Sequence, residues 1–223
     1  MREQPYDSED VLQQLLADHP DLLAGDQMNR AEPRRWLLVG REAGLPSLEG
    51  ESDRWSVDHL FLDQDAVPTI VEVKRSSDTR IRREVVGQML DYAANAVVYW
   101  PVERLQAIYE ATCQLRNLDP QEHLAESLGD DIDWDRYWQL VGTNLAAGKV
   151  RLVFVSDRIP PELRRITEFL DRQMTFAEVL AVEVKQYAGK GLKTLVPRLV
   201  GQTEKPPSPA PPVRWNKPTF LEA

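Results

Sequence analysis

The apolar residues of this chain fall into two rhythms, one helical and one strand-like. Across residues 8–23, Leu12, Leu15, Leu16, Leu22 and Leu23 recur at roughly helical spacing, Asp7 stands where a cap belongs, and Pro20 ends or bends the helix. Residues 34–44 carry a short apolar run that predicts a strand, broken afterwards by Gly40, Gly44, Pro46 and Gly50. Residues 54–63 and 69–75 predict two more strands, joined by the turn "QDAVP", a connection short enough to require an antiparallel hairpin. A long helix follows over 80–98, where Ile81, Val85, Val86, Met89, Leu90, Ala93, Ala94 and Val97 form one broad apolar arc.

Pro101 suits the first turn of a further helix reaching Leu115, and "NLDPQEH" and "DWDRYWQLVGTNLAAGK" begin two more, the last stopping near Gly148. Residues 150–157 read as a buried strand, "PPELRRITEFLDRQM" as a helix with Pro161 in its first turn, and residues 177–187 as a second buried strand. "LKTLVPRLV" is a weaker final strand. Helix, three strands, helices, strand, helix, strand is the order of an α/β protein, a mixed β-sheet flanked by helices. The composition changes at Gly201: "GQTEKPPSPAPPV" predicts an extended linker, and "RWNKPTFLEA" a tail able to dock on a protein partner. Residues 1–200 are thus read as one domain and 201–223 as linker and tail.

Composition narrows the function. With 42% apolar and 28% charged residues the chain can build a substantial core. No apolar run approaches the ~18 residues of a membrane span, the opening residues have no signal-like apolar stretch, and a single cysteine, Cys113, leaves no internal disulfide. A cytoplasmic location is the expectation. His19, His59 and His123 have no zinc spacing. A net charge of −9 argues against a protein that coats nucleic acid, since such chains carry a basic footprint. It leaves room for a local basic patch and for carboxylates gathered around a divalent cation.

The chemistry concentrates in "TIVEVKR". Glu72 and Lys74 are two residues apart in a strand and therefore share a face with Ile70, while Asp58 shares one with Leu60 and Leu62 on the preceding strand. A turn near Asp65 brings Asp58 opposite or next to Glu72, within roughly 5 Å at Cβ. Two carboxylates that close call for a positive charge between them, and a hard divalent cation has the matching oxygen chemistry. Lys74 stands beside it, able to orient water or stabilise developing phosphate charge.

Asp58, the short hairpin and Glu72-Val73-Lys74, followed by Gln88 and Tyr92 one helical turn apart in "GQMLDYA", resemble the PD-(D/E)XK nuclease superfamily. "EVKRSSDTRIRREVVGQMLDYA" is similar to the catalytic domain of NucS-type endonucleases, in the RecB-like branch with a Gln-x-x-x-Tyr element, and "SEDVLQQLLADHPDLL" resembles that group's first helix. The superfamily's proline is absent: Val57 precedes Asp58. The resemblance extends over residues 9–98 and implies a restriction-endonuclease-like core and metal-dependent hydrolysis of DNA, in repair or defence. It implies that Asp58, Glu72 and the Val73 carbonyl bind magnesium or manganese, with Glu9 helping through water. It further implies that Lys74 positions the nucleophile and that Gln88 orients the site or contacts substrate. Arg75, Arg80, Arg82, Arg83 and Tyr92 would meet nucleic acid, and a homodimer fits the group. The alternative is a catalytically weak module of the same fold that binds nucleic acid or a protein partner. A second basic cluster, Lys185, Lys190, Lys193 and Arg198 around two glycines, reads as a solvated loop or as a further grip on nucleic acid.

Overall fold

The computed structural model describes residues 1–46, 53–78 and 84–201. Arg80, Arg82, Arg83 and the Pro-rich tail lie outside these residues. Seven strands form one open mixed sheet: β1 (Arg2–Glu3), β2 (Trp36–Pro46), β3 (Asp53–Asp63), β4 (Thr69–Val73), β5 (Arg151–Ser156), β6 (Glu178–Gly189) and β7 (Leu192–Val200). The order from one edge is β7-β6-β5-β4-β3-β2. β4, β5 and β6 are parallel, and the outer pairings are antiparallel. β1 joins β6 at Tyr187 and Ala188, beyond the end of β5.

Each sheet face buries its own core, which is why the central strands are apolar at consecutive positions. On one face Leu60, Leu62, Ile70, Leu152, Phe154 and Ala181 pack against α3 (Glu84–Tyr99), α4 (Val102–Leu115), α5 (Pro120–Leu128), α6 (Trp134–Ala146) and α7 (Pro161–Gln173). On the other, Phe61, Val71, Val73, Val153, Val155, Val182 and Val184 pack against α1 (Glu9–Asp18), the 3₁₀ turn Pro20–Leu23 and Tyr6, with the single turn α2 (Gly25–Met28) nearby. Leu12 and Leu16 of α1 are fully buried there, each contributing about 1.5–3 kcal/mol.

Three expectations are corrected. Ser8, not Asp7, caps α1, its Oγ accepting the Val11 N–H at 3.2 Å. β2 does not stop at Gly40 or Gly44; it runs to Pro46, because Gly40, Arg41 and residues 43–46 are held by pairing along β3 despite register shifts. The cluster around Lys190 is no loop. β6 and β7 pair along nine residues, since apolar Leu195 and Leu199 pack on the α1-side core and anchor the strand. Cys113, Trp36, Trp100 and Trp138 are core residues. Among the described residues no helix is long and apolar enough to cross a membrane.

Candidate active site

The site lies where β4 ends, at the carboxyl end of the parallel strands, the end at which open α/β sheets place their crevices. β4 is buried at all five positions, and Ile70, Val71 and Val73 suit a pleated, covered surface. Its hairpin with β3 turns where expected. Asp63 Oδ1 accepts the Asp65 and Val67 N–H groups at 3.0 Å each, and Ala66 takes the left-handed conformation the turn requires (φ 57°). The register pairs His59 with Val71 and Leu60 with Ile70. Continued one step, it brings Asp58 across from Glu72.

At that step a side chain replaces the ladder: Asp58 Oδ2 accepts the Val73 N–H at 2.7 Å. β4 has ended by Lys74, whose N–H donates to the Val155 carbonyl of β5 at 2.9 Å. Its side chain turns back over the strand end. Lys74 Nζ donates to the Val73 carbonyl at 2.8 Å and to Glu9 Oε1 at 2.9 Å, and stands 3.1 Å from Glu72 Oε1 and 3.6 Å from Asp58 Oδ2. Every residue expected to hold a metal thus converges on one ammonium. Among the described residues no group of three carboxylate, imidazole or thiol side chains is arranged around a metal-sized point.

Three carboxylates face one ammonium in a buried setting. Burial and the neighbouring Asp58 push the Glu72 carboxyl up to about 7, against the pull of Lys74. Burial likewise raises Asp58, opposed by Lys74 and by the Val73 N–H. Burial alone would lower Lys74; Glu72, Asp58 and Glu9 outweigh it, so the ammonium is held more firmly protonated than usual. Glu72 is only 2% exposed, and its Oε2 has no hydrogen-bond partner among the described residues.

The flanking residues brace this cluster. On α3, the Gln88 amide donates to the Tyr92 hydroxyl, which itself donates to the Ser56 carbonyl of β3 at 2.9 Å. Tyr92 is buried in the core and Gln88 half-buried, so the pair ties α3 to the strand that carries Asp58. Arg75 is half-buried, and its guanidinium donates to the Asp7 carbonyl at 3.2 Å, fastening the chain ahead of α1 to the segment after β4.

Two contributors carry no motif that would single them out. Asp157, just past β5, accepts the Ser76 N–H at 2.6 Å and the Ser76 hydroxyl at 3.0 Å, fixing the segment that follows Lys74. His59 is fully buried, its Nε2 lies 2.8 Å from the Gln13 carbonyl of α1, and its ring stacks on Phe61. With Arg41, which pairs with Asp10 at 2.9 Å, it pins the helix that presents Glu9. A strand-end acid and an inward histidine are visible in the sequence, but their partners come from elements far away in it. Comparison with protein-family models, curated proteins and solved structures returned no match.

Proposed function

We propose that this chain is a magnesium- or manganese-dependent nuclease that hydrolyses phosphodiester bonds in DNA, on a restriction-endonuclease-like core. The observation that carries the reading is the convergence of Asp58, Glu72 and Glu9 on Lys74 at the end of β4. The donor set is all oxygen, the chemistry of hard divalent cations. Among the described residues, three carboxylates against one ammonium leave an excess of negative charge, and Glu72 Oε2, without a partner there, has lone pairs to offer. Asp58, Glu72 and the Val73 carbonyl would hold the cation, with Glu9 assisting through water. When bound, it would supply Lewis-acid polarisation of the phosphoryl oxygens. Lys74 would orient the attacking water or stabilise charge growing on the phosphate, a task suited to a fixed ammonium in a water-poor site. The Gln88–Tyr92 pair would keep Asp58 in register.

A second reading rests on Lys74 itself, which fills the point on which the carboxylates converge. A closed ion-pair network of this kind also suits a binding module that keeps the fold without cutting. Calorimetric titration of manganese into wild type and Asp58→Ala/Glu72→Ala separates the two, with both proteins incubated with single-stranded, duplex and branched DNA and RNA. Metal binding and cleavage, both lost in the variant, support the nuclease. Metal affinity no greater than the variant's would sink it and leave the module.

A further inference from the structure

β6 and β7 run on where the rest of the sheet stops. Ser156, the last residue of β5, pairs with Glu183, yet β6 continues to Gly189. At ~3.3 Å per residue the hairpin extends about 20 Å past β5. Over that length the short β1 is its only other strand partner among the described residues. Lys190 and Gly191 form its two-residue turn, both at positive φ (52° and 76°), and Gly189 and Leu192 close it as a pair. That is the geometry whose twist matches paired strands, so the hairpin is a pre-shaped arm.

Its charge is one-sided. Residues 184–200 contain Lys185, Lys190, Lys193 and Arg198 and no acid, in a chain with 36 acidic residues and a net charge of −9, so the arm departs from the chain's own composition. Lys190 and Lys193 are exposed and form no ion pair among the described residues. Lys185 lies 3.3 Å from Glu3, and Arg198 lies 3.4 Å from Glu183, contacts that steady both cations.

Two of the arm's four cations share the face of the site. Arg198 pairs with Glu183, Glu183 with Ser156, and Phe154, two residues before Ser156, pairs with Glu72. Side chains alternate along a strand, so Arg198, Lys185 and Tyr187 share the sheet face of Glu72, while Lys193, paired with Ala188, takes the other face and Lys190 stands in the turn at the arm's tip, so the four cations line both sides and the end of the arm. β6 and β7 stand two and three strand spacings from β4, about 10 and 14 Å. The larger span is about four nucleotides at ~3.4 Å per step.

We propose that the β6–β7 arm grips the sugar–phosphate backbone of nucleic acid beside the Glu72–Lys74 site, through Lys185, Lys190, Lys193 and Arg198. The location of the cut phosphate rests on the nuclease reading; the grip does not. The test measures fluorescence anisotropy of a labelled DNA duplex in EDTA, titrated with the full chain over a range of salt concentrations. The variant is Lys190→Asn/Lys193→Gln, in which Asn-Gly is a favoured pair for this turn and keeps the hairpin folded. Lys149→Gln, just before β5 at the opposite end of the sheet, is the control. Affinity should fall roughly tenfold in the double variant, with a salt slope shallower by about two, and stay unchanged in the control. Unaltered affinity and slope in the double variant, or no duplex binding by wild type, would overturn the proposal. So would a dimer, seen by light scattering, that the double variant disrupts while DNA affinity holds; the arm would then serve a second copy. Manganese-dependent cutting with variant-independent binding would remove the arm and keep the nuclease. Arm-dependent binding without cutting would do the reverse.

Discussion

Glu9 Oε1 and Lys74 Nζ meet at 2.9 Å across 65 residues of chain, joining the first turn of α1 to the end of β4. The helix lies against one sheet face while Glu72 and Asp58 serve the site from the strands, so this contact closes the cluster from outside the sheet. Glu9 also sits where the helix dipole favours an acid, which fixes its place at little cost.

Lys74→Met removes from three carboxylates the ammonium that all of them face among the described residues. Stripping one partner from a buried ion cluster costs about 3 kcal/mol or more, so the melting temperature should fall at neutral pH in EDTA. Millimolar manganese should restore more stability to this variant than to wild type, because the cation takes over the lost charge. Thermal melts with and without manganese check both statements. An equal or smaller manganese shift in the variant would count against the metal site.

The pH dependence contains two opposed contributions. Glu72 sits at about 7 in the fold against an ordinary 4.5, so the folded state holds its proton longer; its contribution to stability falls as pH rises from about 4.5 to 7. Asp58, also raised, adds to the fall. His59 is pushed by burial down to about 4 from 6.5, so the unfolded state binds the extra proton; its contribution rises with pH over that window. The Glu72 and His59 contributions are each worth about 3 kcal/mol and oppose one another in wild type. Glu72→Gln should expose the rise and His59→Gln the fall, read from urea midpoints between pH 4 and 7. A Glu72→Gln profile that still fell with pH would contradict the shift assigned to Glu72.

Tyr92→Phe leaves the Ser56 carbonyl and the Gln88 amide without their hydroxyl partner while the ring still fills the core. The loss should be about 1–3 kcal/mol in urea denaturation, two hydrogen bonds at roughly 0.5–1.5 each. If the pair holds Asp58 in register, manganese affinity should weaken as well, and an unchanged affinity would reduce the pair to a structural tie.

Arg151 tests the opposite end of the sheet. It is 2% exposed and donates to Asp63 at 2.9 Å, Thr69 at 3.1 Å and Glu178 at 2.6 Å, with its guanidinium 5.4 Å from the Trp36 ring. Arg151→Ala should destabilise the fold by about 3 kcal/mol or more, because Asp63 stays buried and loses its closest cation. Arg151→Lys should rescue it poorly, since an ammonium cannot reproduce the fork to Asp63 and Glu178. Manganese affinity should not change in folded Arg151→Lys, the network being remote from Lys74.

Local patterning already contained six helical and six strand runs, but not β1 or the single turn α2. β-branched runs separated by turn residues specify β4, β5 and β6, and proline-led segments specify α5 and α7. The spacing of Glu72 and Lys74 and the short turn after Asp63 likewise announced a shared face, because strand alternation is a property of the backbone itself. What spacing could not contain was the partner across the fold. That Lys74 bends back onto four oxygens depends on α1 being held against the sheet by His59 and Arg41, contacts made over some 30 to 46 residues. β7, with exposed Leu192 and Val196, is only a weak strand in the sequence, and its nine-residue pairing with β6 is what makes it a full one. Periodicity records which face a residue takes; only packing of distant elements decides which charge it meets there, since Coulomb and desolvation energies depend on the assembled surroundings.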